Sequence, residues 1–161
     1  MTIKFILNGE DVAINAEANQ RLISILREHF GLTSAKTGCV NGNCGACLVI
    51  FNGAVSPSCL IPAFRIQGSE IITLEGFSQT AEYQDIILAF ARTAVESCGY
   101  CDAGKILSAE LLLEQDLHPS KDDFIAAFRG VQCRCTNSEK LYQGILAAGE
   151  IRQRRIYGRS L

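Results

Sequence analysis

Apolar and polar residues alternate from Ile3 to Leu7, Asn8-Gly9 follows as a turn signal, and Val12 to Asn15 resumes the same period. This pattern predicts a β-hairpin. Leu22, Ile23, Ile25 and Leu26 fall on one face of a helix running to about His29, with Gly31 placed to end it. A second hairpin is predicted by Leu48-Val49-Ile50-Phe51, Asn52-Gly53 and Ala54-Val55, and Ile71 to Leu74 reads as a last strand. Near Gly76 the period changes. From Ala81 onward four helical patterns follow and no strand. Ile86, Ile87, Phe90 and Ala91 carry the first, to about Glu96; Ile106, Leu107 and Leu111 the second; Phe124, Ala127 and Phe128 the third. Leu141, Ile145, Leu146 and Ile151 carry the fourth. Asp122 and Asp123 suit the third helix's start and Gly130 its end. The expected fold class is α+β: a small mixed sheet packed on one helix over residues 1–76, then an all-α four-helix domain over 77–161, with 76–80 as linker.

Composition narrows the function. Hydrophobic residues make up 48% of the 161 and charged residues 20%, as in an ordinary folded protein. A formal charge of −2 gives no reason to expect nucleic acid or a membrane surface as partner. No run approaches the roughly 20 apolar residues of a membrane helix, and the apolar stretch Ile3–Leu7 is too short for a secretory signal. A cytoplasmic location is therefore expected, where structural disulfides are rare. Arg152, Arg154, Arg155 and Arg159 form a basic cluster, read as cations at a helix C-terminus; a docking patch for another subunit is the alternative.

Eight cysteines in such a chain need a different explanation from disulfides, and metal ligation supplies one. They form two groups of four: Cys39, Cys44, Cys47 and Cys59, then Cys98, Cys101, Cys133 and Cys135. The first group has the C-x4-C-x2-C spacing with a distant fourth cysteine that marks plant-type [2Fe–2S] sites. Gly38, Gly42 and Gly45 allow a loop to wrap closely around a cluster and aim backbone N–H groups at its sulfurs. Structural zinc prefers paired knuckles, a poor match for this loop. In the second group a C-x2-C pair and a C-x-C pair lie at helix boundaries, where unpaired N–H groups can face a negative cluster. On spacing alone four-thiolate zinc suits this group almost as well; the first group tips the reading towards a second iron–sulfur cluster.

With both groups in view, the chain resembles the small iron–sulfur subunit of the molybdenum hydroxylases, the family of xanthine dehydrogenase and aldehyde oxidoreductase. The resemblance covers nearly the whole chain and rests on the first cysteine loop with Cys59, on Ile72-Thr73-Leu74-Glu75-Gly76, on Cys98-Gly99-Tyr100-Cys101 and on Cys133-Arg134-Cys135-Thr136. It implies a β-grasp ferredoxin-like domain followed by a four-helix domain, each holding one [2Fe–2S] cluster. It also implies a molybdopterin-binding large subunit and an FAD-binding medium subunit as partners. Substrate, a purine, aldehyde or N-heterocycle, would be hydroxylated at molybdenum, and electrons would pass through the two clusters to FAD. Cys135 matches the family cysteine that faces the pterin. Around the second group the chain departs from the family pattern Gln-Cys-Gly-x-Cys-Thr-Pro-Gly-Met: it reads Ser97-Cys98-Gly99-Tyr100-Cys101-Asp102-Ala103-Gly104-Lys105. Ser97 stands where relatives place the pterin-contacting glutamine and is shorter. Asn137-Ser138 replaces the usual Gly-Tyr.

A freestanding two-cluster ferredoxin is the alternative function, although diffusible shuttles tend to be strongly acidic. An iron–sulfur regulator is disfavoured by the lack of a helix-turn-helix with a basic face. No catalytic site of its own is expected: His29 and His118 lie in no catalytic motif, and no nucleotide-binding glycine loop occurs.

Overall fold

The structure, a computed structural model, describes residues 1–158; Arg159 of the basic cluster lies outside them. The first hairpin joins β1 (Thr2–Leu7) to β2 (Glu10–Asn15) in the register Leu7↔Glu10, with Asn8 and Gly9 both at positive φ. Ile3, Phe5 and Leu7 point inward along β1, as period-2 alternation requires. They pack on Leu22 of α1 (Leu22–Ser24) and on Ile25 and Leu26 of the π-helical turn, Ile25–His29, that continues it. Gly31 ends this helix in a left-handed conformation, and the Leu32 N–H returns to the Leu26 carbonyl at 2.9 Å. The second hairpin joins β3 (Leu48–Phe51) to β4 (Ala54–Pro57), and β5 (Glu70–Ile72) lies parallel to β1 and antiparallel to β3. The resulting mixed sheet, in the order β2-β1-β5-β3-β4, is a ferredoxin-like β-grasp.

The strand expected over 71–74 stops at Ile72. Asn8 is the reason: its Oδ1 accepts from the Thr73 N–H at 2.8 Å, and its Nδ2 donates to Thr73 Oγ1 at 3.1 Å. Thr73 is thereby turned out of the sheet and precedes α2 (Leu74–Phe77). The segment 76–80, expected as a linker, is thus a helical turn followed by Thr80, whose Oγ1 caps α3 (Ala81–Arg92) by accepting from the Tyr83 N–H. Helix α3 ends at Arg92, short of Glu96, because Ala94 adopts a positive φ and Thr93 Oγ1 bonds the Ala89 carbonyl.

Three more helices complete the fold: α4 (Asp102–Gln115), α5 (Lys121–Phe128) and α6 (Ser138–Tyr157). Ser120 caps α5 in a reciprocal box with Asp123, and Asp122 adds a second acidic residue to that first turn. Phe90, Leu107, Leu113, Phe124 and Ile145 meet in a second core between the helices. The arginine cluster fills its expected role only in part. Arg152 is buried between helices and pairs with Glu110, while Arg155 bonds Asp85 and Glu82 of α3. These cations join α6 to α3 and α4; of the cluster, Arg154 and Arg155 lie in the last turn of α6.

Candidate metal centres

The first cysteine loop, residues 37–47, has almost no regular structure, and its backbone polar groups turn towards sulfur. The N–H groups of Asn43 and Cys44 lie 3.1 and 3.3 Å from Cys39 Sγ; those of Cys39 and Ala46 both lie 3.5 Å from Cys44 Sγ. Such donors stabilise thiolate and offset the charge of an anionic cluster. The Asn41 N–H does most to lower the Cys39 thiol, to about 6. Gly38 is needed at the loop's entry because a Cβ there would sit 2.7 Å from Cys44 Sγ.

Cys47 and Cys59 are buried side by side, each 2% exposed. The hairpin brings them together: its register Leu48↔Pro57 sets Cys47 opposite Ser58, whose N–H and O–H both bond the Cys47 carbonyl, at 3.1 and 2.7 Å. Burial pushes the Cys47 thiol up.

The second group lies where two helix starts meet. Cys101 immediately precedes α4, and Cys133 and Cys135 lie in the loop before α6, whose cap is Asn137 accepting from the Lys140 N–H at 2.8 Å. The departure at 137 therefore supplies a helix cap. The buried Cys101 thiol adjoins Cys133, and the exposed Cys98 adjoins the exposed Cys135. Burial, with Cys133 beside it, pushes the Cys101 thiol up to about 12. Ser97 turns back onto α4, its O–H donating to the Asp102 carboxylate. Buried Lys105 and Thr136, which motif spacing did not single out, both donate to the Glu96 carbonyl, at 2.8 and 2.7 Å. His29 is exposed, and His118 Nε2 lies 3.0 Å from Gln153 Oε1, away from both groups.

Each group thus consists of two adjoining thiol pairs: 39 with 44 and 47 with 59, then 101 with 133 and 98 with 135. None of the eight is in a disulfide. Two pairs per group are what a binuclear cluster takes, two thiolates to each iron. The groups also touch. The Gln132 N–H donates to the Cys44 carbonyl at 3.0 Å, and Tyr100 Oη donates to the Thr37 carbonyl at 3.2 Å.

Residues 5–70 match the 2Fe-2S iron-sulfur cluster binding domain, and residues 73–146 match a second family described as a [2Fe-2S] binding domain. The nicotinate dehydrogenase small FeS subunit of Eubacterium barkeri is 41% identical over 93% of this chain and 96% of its own length. The chain belongs to the small iron–sulfur subunits of the molybdenum hydroxylase family. Among solved structures, this iron–sulfur subunit is similar to quinoline 2-oxidoreductase from Pseudomonas putida, with a TM-score of 0.84 and 35% identity over 95% of this chain and 96% of that one. It also resembles the aldehyde oxidoreductase of Desulfovibrio desulfuricans, with a TM-score of 0.85 and 32% identity over 94% of this chain but only 17% of that longer one.

Proposed function

We propose that this chain is the electron relay of a multi-subunit molybdenum hydroxylase, with one [2Fe–2S] cluster on Cys39, Cys44, Cys47 and Cys59 and another on Cys98, Cys101, Cys133 and Cys135. The observation that carries the reading is the division of each cysteine group into two thiol pairs, with the two loops in backbone contact. When bound, the clusters supply one-electron redox chemistry. The chain's own residues hold the thiolates, shield Cys47 and Cys59 from water and turn N–H groups onto Cys39 and Cys44. Residues 1–76 and 77–161 form the two cluster-bearing domains. Exposed Cys135 faces the pterin of a molybdopterin-binding large subunit, and the first cluster lies towards an FAD-binding medium subunit. Ser97, engaged with Asp102, makes no glutamine-like reach to the pterin. The complex works in the cytoplasm on a purine, aldehyde or N-heterocycle; the nicotinate and quinoline enzymes among its relatives support the last class.

Metal analysis and native purification test this reading. The expected result is about four irons per chain, with negligible zinc, and co-purification with molybdenum- and flavin-containing chains. Stoichiometric zinc, or half that iron, overturns the two-cluster assignment. Repeated isolation of the iron-loaded chain alone overturns the fixed-subunit assignment in favour of a diffusible ferredoxin.

A further inference from the structure

Lys105 is a cation in an unusual place. Its side chain is 2% exposed, and it projects from the first turn of α4, one turn beyond Cys101. Its ammonium donates to the Glu96 carbonyl at 2.8 Å and lies 3.2 Å from Asp102 Oδ1. The same Glu96 carbonyl accepts from Thr136 Oγ1, the residue after Cys135. Glu96 is itself two residues before Cys98. The ammonium therefore sits where the three segments bearing Cys98, Cys101, Cys133 and Cys135 converge. Asp102 completes the unit: one carboxylate oxygen accepts from Ser97, and the other, buried, accepts no hydrogen bond and has the ammonium as its ionic neighbour.

Packing gives no reason for charge here. Ser97, Asp102 and Lys105 line a cavity of about 330 Å³ together with apolar residues that include Ile87, Phe90 and Ile106. An apolar side chain at 105 would suit those walls, and replacing a buried ion pair with apolar groups is often neutral or stabilising. The three residues are also three of the positions at which the chain leaves its family's pattern, and the structure shows them to be one connected unit. The Lys105 N–H donates to the Cys101 carbonyl at 3.0 Å, and Asp102 directly follows that cysteine, so both charges are anchored beside the second group.

We propose that the buried Lys105–Asp102 pair sets the reduction potential of the second cluster, the lysine raising it and the aspartate lowering it. The proposal rests on the assignment of Cys98, Cys101, Cys133 and Cys135 to that cluster. Reduction adds negative charge, which a desolvated cation nearby stabilises and an anion destabilises. Lys105 and Asp102 are positioning residues of the relay, acting through the field they impose on the ligand sulfurs.

Redox titration of the iron-loaded full-length chain, following both electron paramagnetic resonance signals, tests it. In Lys105→Met the equilibrium constant for reducing the second cluster should fall by about tenfold, or about 59 mV for a one-electron couple. In Asp102→Asn it should rise, because the ammonium is then no longer neutralised. Lys105→Arg should stay close to wild type, and the first cluster should not move in any variant. Opposite shifts from the two ends of one pair are not what a merely structural disturbance produces. Shifts of the same sign, or none while both signals persist, overturn the proposal. If Lys105→Met fails to retain iron, Asp102→Asn alone decides: an upward shift supports the proposal and its absence overturns it. A wild-type chain with a single signal and half the iron instead overturns the two-cluster reading on which the proposal stands.

Discussion

The Arg152 guanidinium grips the Glu110 carboxylate with two bonds, Nη1 to Oε1 at 3.3 Å and Nη2 to Oε2 at 2.6 Å, and both side chains are about 5% exposed. This pair locks α6 to α4 in the helical core. Burial pushes the Glu110 carboxyl up, and Arg152 opposes that rise. Removing Arg152 strands the Glu110 charge, whereas removing Glu110 leaves Arg152 its longer contacts, Nε to Asp85 at 3.5 Å and Nη2 to the Glu82 carbonyl at 3.3 Å. Arg152→Met should cost about 3–5 kcal/mol, and Glu110→Gln less, because Asp85 still faces the guanidinium. The double variant should recover most of the loss, because residues in contact are non-additive. Thermal unfolding of the three variants checks this; equal, additive losses would contradict it.

Replacing Cys44 by Ser should abolish one of the two electron paramagnetic resonance signals and leave the other. Iron should fall to about two per chain. Loss of both signals together would mean that the groups do not hold separate clusters.

Gly45 and Gly53 have nearly the same left-handed φ, +75° and +78°, but different surroundings. A Cβ on Gly53 meets open space, whereas one on Gly45 would sit 2.4 Å from the Gly130 carbonyl oxygen. Gly53→Ala should therefore cost only backbone strain, about 1–2 kcal/mol. Gly45→Ala should lose about 1–3 kcal/mol more through overpacking. Thermal midpoints followed by visible cluster absorbance compare the two.

Ser34 donates from its N–H and O–H to the Glu75 carboxylate, at 2.8 and 2.5 Å, and so ties the approach to the first cysteine loop onto α2. Burial would raise the Glu75 carboxyl, but the Ser34 bonds outweigh it and hold the group below its usual range. The contribution to stability is then present above the unfolded value, about 4.3, and lost as pH falls through the folded value. Ser34→Ala should cost about 1 kcal/mol at neutral pH. Its gap from wild type in thermal midpoint should narrow as the carboxyl is protonated. A gap that stays constant with pH would assign the effect to packing.

Period and turn chemistry made both hairpins legible, since Asn8-Gly9 and Asn52-Gly53 carry the positive φ that tight connections need. The helical second half was legible for a similar reason: apolar spacing fixes a helix's inner face whatever it packs against. What escaped was set by distant partners. The early end of the last strand depends on Asn8, 65 residues away, and Arg155 finds Asp85 across 70 residues. No window of sequence contains both members of such a pair. The first cysteine group could be read because three of its members fall in one loop. The second could not stand alone, because Cys101 and Cys133 meet only once α4 and the loop before α6 are folded. Lys105 was visible as a departure from a family pattern, but its link to Ser97 through Asp102 appears only in three dimensions.

Gly45 has a further consequence. Its carbonyl packs so closely on Gly104 that a Cβ there would approach within 2.4 Å, and its own α-carbon faces Gly130 with similar intimacy. Backbone meets backbone at this seam, with no side chain between that could swing aside. The two cysteine loops therefore cannot come closer along this seam, and the bond from the Gln132 N–H to the Cys44 carbonyl ties them there. With clusters bound as proposed, the distance between them would be set by this backbone seam and not by any side chain's rotamer, and control of throughput would fall to the docking surfaces at either end.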